Sequence, residues 1–97
     1  MPFFVLIGVD GPNGAALRPT VRPKHLAHLE PFSKAGRVLF GGPMFEDDGR
    51  TPRGSVVVFE AADLEEARAI AARDPYVVEG VFGQYEVRPT TRVFPQT

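Results

Sequence analysis

Phe3-Phe4-Val5-Leu6-Ile7-Gly8-Val9 is an unbroken apolar run, rich in aromatic and β-branched residues, that stops at the turn cluster Asp10-Gly11-Pro12-Asn13-Gly14. It is too short to cross a bilayer and has no basic stretch before it, so it reads as neither a membrane span nor a leader. Its residue types favour a strand, and the lack of polar alternation implies that both faces are covered. Three further stretches read as strands. Arg37 to Phe40 predicts a second strand, Ser55-Val56-Val57-Val58-Phe59 a third and Phe82 to Val87 a fourth.

The segments between strands predict two helices. The first is expected from about Val21 to Ala35: Pro23 suits a first turn, Leu26, Leu29 and Phe32 recur every three residues, and Gly36 ends it. Pro31 lies inside it and is expected to kink or split it, because proline removes a backbone donor. Residues 10–19 read as a loop. Asp63-Leu64-Glu65-Glu66 is an acidic capping box that opens the second helix, which runs to about Arg73. Asp74-Pro75 closes it, since the residue before proline avoids the α region. Tyr76 to Glu79 forms one more turn, ended by Gly80. Gly41-Gly42-Pro43 reads as a turn that uses glycine torsions, and Glu46 to Arg53 as a loop. Asp47-Asp48-Gly49 shares its start with a calcium loop but lacks the remaining ligands. In the tail, Val93-Phe94 is expected to dock on an apolar surface.

The order β-α-β-β-α-β in 97 residues predicts one α+β domain over residues 1–97, a ferredoxin-like split β-α-β sandwich. The sheet should be antiparallel, in the spatial order 4-1-3-2, with both helices on one face. The other face would then expose apolar residues of the first and third strands. A second copy of the chain is the simplest cover, giving a homodimer through the sheet face in the manner of a dimeric α+β barrel. A net charge of −1 from mixed charges argues against a nucleic-acid partner. The absence of cysteine removes disulfides, thiolate nucleophiles and thiolate metal sites. The expectation is a soluble, cytoplasmic protein.

Chemistry is sparse in this chain, which has two histidines. In the predicted topology the start of the first helix and the end of the second lie at the same end of the sheet. That makes His25 and Asp74 neighbours. Histidine titrates near neutral pH and is the usual proton-transfer group, and an aspartate orients it. Asp74 is also a good N-cap for the Tyr76 turn, one oxygen capping while the other faces His25. Around the pair, Arg22 is a candidate for holding an anionic substrate, the alternative being an ion pair with Glu79. Ser55 can donate a hydrogen bond into the cleft, Tyr76 can form a wall with a hydroxyl, and Pro43 follows two glycines that let a ligand approach the backbone. His28, one turn from His25, could make a metal pair with Asp74 as third ligand, but zinc sites use a better supported set. It reads as a surface residue, and no metal or cofactor is expected.

Arg22-Pro23-Lys24-His25-Leu26-Ala27-His28-Leu29, Gly36-Arg37-Val38-Leu39, Gly41-Gly42-Pro43-Met44, Gly54-Ser55 and Asp74-Pro75-Tyr76-Val77-Val78-Glu79-Gly80-Val81 follow one another across nearly the whole chain. As a set they resemble the YCII-related (YciI-like) proteins, small dimeric ferredoxin-like domains. The resemblance implies a cleft with a His–Asp catalytic pair, which falls on His25 and Asp74. It also implies that the fold supports lyase chemistry, since one catabolic branch eliminates halide from chlorinated aromatic diols. Pro31 within the first helix and a short Phe45–Arg53 loop depart from the pattern. The reading is a cofactor-independent enzyme of lyase or isomerase type acting on a small anionic or phenolic molecule. The alternative is a non-catalytic dimeric domain that binds a small ligand or a partner.

Overall fold

The computed structural model describes residues 1–96. Its elements are β1 (Phe3–Asp10), α1 (Gly14–Lys34), β2 (Val38–Phe45), β3 (Pro52–Glu60), α2 (Leu64–Ala72), α3 (Pro75–Val78) and β4 (Phe82–Thr90). All strand pairs are antiparallel and the sheet order is β2-β3-β1-β4, the expected α+β arrangement.

The two sheet faces differ. Phe4 and Leu6 of β1 are buried with Val57 and Phe59 of β3 and Val87 of β4. They pack with Ala67, Ile70 and Ala71 of α2 and with Leu29 and Phe32 of α1. The residues in between, Phe3, Val5 and Ile7 of β1 and Val56 and Val58 of β3, are only half-buried within one chain. Val21, Tyr76, Val81 and Phe82 form a second buried group at the α1–α3 end.

Four sequence expectations are corrected here. The first helix begins at Gly14, not near Val21, so residues 14–19 are helix rather than loop. Pro19, Pro23 and Pro31 all lie inside α1, and Pro31 does not split it. Each proline withholds the bond to the carbonyl four residues earlier. Here those carbonyls belong to Ala15, Pro19 and Ala27, and all five positions involved are exposed, so water can satisfy them. Gly36 does end the helix. At φ 75° it permits a Schellman closure, with Arg37 N–H donating to Phe32 O at 2.8 Å and Gly36 N–H to Ser33 O at 3.0 Å.

The second strand extends through Gly41-Gly42-Pro43 to Phe45, so this stretch is strand rather than turn. It lies at the sheet edge, where a proline without a donor is tolerated. The hairpin that follows is closed by Glu46 N–H to Thr51 O at 2.8 Å and by Asp48 Oδ1, which accepts from the amides of Arg50 and Thr51. Those bonds hold the Asp48 carboxyl below its usual range, the Thr51 hydroxyl contributing most. In the tail, Val93 and Phe94 are exposed, so the expected docking is absent within the described residues of one chain.

Candidate functional site

A cleft of about 900 Å³ opens between α1 and the β2–β3 edge. Arg18, Arg22, His25 and Leu29 recur at helical spacing along one side of α1 and line it. The opposite wall comes from Phe40 to Pro43 of β2 and from Ser55 and Val57 of β3, with Tyr76 of α3 at the end. Pro43 sits directly across the ladder from Ser55.

His25 lies in the middle of α1, which corrects its expected place in a first turn, so the N-terminus of its own helix is remote from it. Its Nδ1 lies 2.8 Å from Asp74 Oδ1, and both residues are buried. Asp74 is the N-cap of α3, and the same Oδ1 accepts the Tyr76 amide at 2.9 Å. The division of labour read from sequence, one oxygen per partner, is therefore corrected. Oδ1 takes both bonds, and the buried Oδ2 has no partner among the described residues. A carboxylate only accepts, so His25 Nδ1 donates and Nε2 is the nitrogen left for the cleft.

Tyr76 fixes the imidazole plane. The two rings stack face to face, 3.9 Å apart and 2° from parallel. Phe82 meets Tyr76 edge-on from behind, at 5.6 Å. Phe82 in turn occupies the space where a side chain at position 8 would begin, its ring 2.5 Å from an ideal Cβ on Gly8. Burial pushes the Tyr76 phenol up, against the pull of Arg18 and Arg22, so it is a neutral donor at neutral pH.

A second buried cluster, missed in the sequence, adjoins the first. Arg18 Nε and Nη2 bond Asp10 Oδ2 and Oδ1 at 2.8 and 2.7 Å, and Nη2 also donates to Ser55 Oγ at 3.1 Å. The guanidinium lies over the Tyr76 ring, 5.1 Å from its centroid. Its pKa is raised, chiefly by the Asp10 bond, so the charge is permanent. Once the helix start is placed at Gly14, Arg18, Arg22 and His25 read as one face, and that spacing was the available signal.

Arg22 is exposed at the cleft rim. Its alternative partner Glu79 pairs instead with Lys24, at 3.1 Å. His28 is half-buried rather than on the surface. Its Nε2 donates to Ile70 O at 3.0 Å, so it ties α1 to α2 and that nitrogen is occupied. Among the described residues no group of three metal-ligating side chains occurs, and no helix is long and apolar enough to cross a membrane.

Residues 2–91 match the model of the YCII-related domain. The chain belongs to the YCII-related family. Protein YciI of Escherichia coli O6:H1 is 38% identical to this YCII-related chain over 96 residues, covering 94% of the chain and 98% of that protein. The solved structure of 5-chloro-2-hydroxyhydroquinone dehydrochlorinase (TftG) from Burkholderia phenoliruptrix, in complex with 2,5-dihydroxybenzoquinone, aligns with a TM-score of 0.80 at 26% identity. The alignment covers 92% of this chain and 93% of TftG. An antibiotic biosynthesis monooxygenase aligns with a TM-score of 0.56 at 15% identity, over 96% of this chain and 99% of that one, and shares the fold.

Proposed function

We propose that this YCII-related chain is a cofactor-independent acid–base enzyme of lyase type whose proton-transfer group is His25, oriented by Asp74. The observation that carries the reading is the His25 geometry: Nδ1 held at 2.8 Å by a buried carboxylate, Nε2 left for a cleft of small-molecule size. Asp74 sets the tautomer and balances the imidazolium that forms when Nε2 takes a proton. Tyr76 holds the ring plane, so His25 meets a substrate without reorganising.

TftG supplies the substrate class by similarity, a chlorinated hydroxyhydroquinone. In an elimination, the ring first tautomerises, His25 Nε2 taking a phenolic proton and returning it to the carbon that bears chlorine, so that carbon becomes sp3 and its neighbour a ketone. His25 Nε2 then removes a second O–H proton, the O–H pair becomes a C=O bond, the ring double bond shifts to the chlorine-bearing carbon, and chloride departs with the carbon–chlorine pair. The product is a hydroxyquinone plus HCl, and the balance needs no oxidant. The proton passes from His25 to solvent.

The active unit is proposed to be a homodimer through the open sheet face. Phe3, Val5, Ile7, Val56 and Val58 line up there, half-buried in the single chain, and a second copy would complete their burial.

The test is chloride release from 5-chloro-2-hydroxyhydroquinone. The purified protein is expected to release stoichiometric chloride, and His25→Ala to lose at least a hundredfold in rate with its circular dichroism unchanged. Full activity in His25→Ala would remove the histidine from the chemistry. A wild-type protein that binds the compound without releasing chloride would leave the cleft as the binding site of a non-catalytic domain.

A further inference from the structure

Arg18 has five N–H donors in a planar fork. Three are spent within the protein: Nε–H and one Nη2–H on the Asp10 carboxylate, and the other Nη2–H on Ser55 Oγ. The two on Nη1 make no hydrogen bond within 3.5 Å among the described residues, although the neighbouring Tyr76 hydroxyl also helps to hold the guanidinium charged, and Nη1 is not sealed from the cleft that Arg18 lines. The residue itself is buried, 8% exposed. A guanidinium this enclosed, with two donors facing a cavity, is pre-organised to receive an oxygen anion. Ser55 accepts from Arg18, which leaves its own O–H free to donate beside the same spot. The rest of the cleft is largely apolar, with Leu26, Leu29, Phe40 and Val57 facing it.

We propose that Arg18, locked by Asp10 and Ser55, is the anchor for an ionised oxygen of a planar aromatic ligand, whose ring lies along the apolar wall while His25 faces its edge. The inference rests on the reading of this cleft as a small-molecule site and adds a residue to it. Arg18 is here a binding group and His25 the proton-transfer group, so the two can be separated. Asp10 cancels part of the charge of Arg18 at a distance, which leaves recognition to the two directed N–H bonds. Arg22, without an ion pair among the described residues, adds net positive charge at the rim.

Equilibrium binding tests this without any turnover. The probes are 2,5-dihydroxybenzoquinone, a vinylogous diacid, and its dimethyl ether, the same ring without an ionisable oxygen. The affinities are measured by calorimetry. Arg18→Gln combined with Asp10→Asn removes the cation together with its buried counter-charge. This variant is expected to bind the diacid at least thirtyfold more weakly than wild type, with the ether changed by less than threefold. Arg18→Lys, which keeps the charge and loses the fork, is expected to weaken the diacid roughly tenfold and serves if the double variant does not fold. The readout is equilibrium affinity and needs no turnover, so a failure of the catalytic reading does not touch this result. Unchanged diacid affinity in the Arg18 variants, equal losses for both probes, or a wild-type protein that binds no diacid would each overturn the assignment. So would a loss found entirely in Arg22→Gln.

Discussion

Oδ1 of Asp74 accepts from both the Tyr76 amide and His25, so substitutions at this residue separate the cap from the pair. Asp74→Asn keeps an acceptor for the amide and removes the charge behind the imidazole. Asp74→Ala loses both bonds and should cost about 1–2 kcal/mol more stability than Asn in urea unfolding. Equal stability of the two variants would contradict the cap. Tyr76 gives a pH prediction of definite sign. Burial raises its pKa, so above the ordinary tyrosine value of about 10 the unfolded chain loses this proton first. The folded state then binds more protons than the unfolded one, and stability falls as pH rises. Below that range the contribution is fully present. Tyr76→Phe should therefore flatten the alkaline arm of the stability curve relative to wild type, and parallel curves would contradict the assignment. At this scale His25 and Asp74 were legible because each is a distinctive residue at a helix boundary signal. Arg18 was not, because prolines on either side of the first turns hid the helix that carries it.

The elements were legible where local chemistry and packing agree. The β-branched runs of β1 and β3 and the Asp63 cap, which accepts from Glu66 N–H at 2.8 Å, say the same thing at both levels. The reading failed where tertiary context outweighed a local signal. Pro19 and Pro23 signal a boundary, yet α1 continues because Arg18 ties its first turns to Asp10 and the prolines face water. Gly41-Gly42-Pro43 signals a turn, yet an edge strand accommodates it. One link between elements is testable. The Phe82 ring crowds Gly8 and backs Tyr76, so Gly8→Ala must displace it. The expected cost is about 1–3 kcal/mol by urea unfolding. Phe82→Leu in the Gly8→Ala background should recover part of it, because the crowding ring is gone. Additive losses in the double variant would mean the two positions are not coupled.

For the whole molecule, two apolar faces on β1 and β3 served as a sequence signal for a covered sheet. One chain's helices cover one of those faces. If a second copy covers the other, Val5→Glu in the middle of β1 should yield a monomer by light scattering at micromolar concentration, while wild type scatters as a dimer. A wild-type monomer would contradict the proposed assembly. Dimer formation also bears on the cleft, since the exposed Phe40 lies on the same edge strand that forms its wall.

The central claim is that His25 moves the proton, and chemical rescue addresses it most directly. His25→Ala leaves an imidazole-sized space between Tyr76 and Asp74. Chloride release from 5-chloro-2-hydroxyhydroquinone by this variant should be lost, then return with added imidazole, saturably and only while Asp74 is intact. Undiminished chloride release by His25→Ala without imidazole would contradict the account.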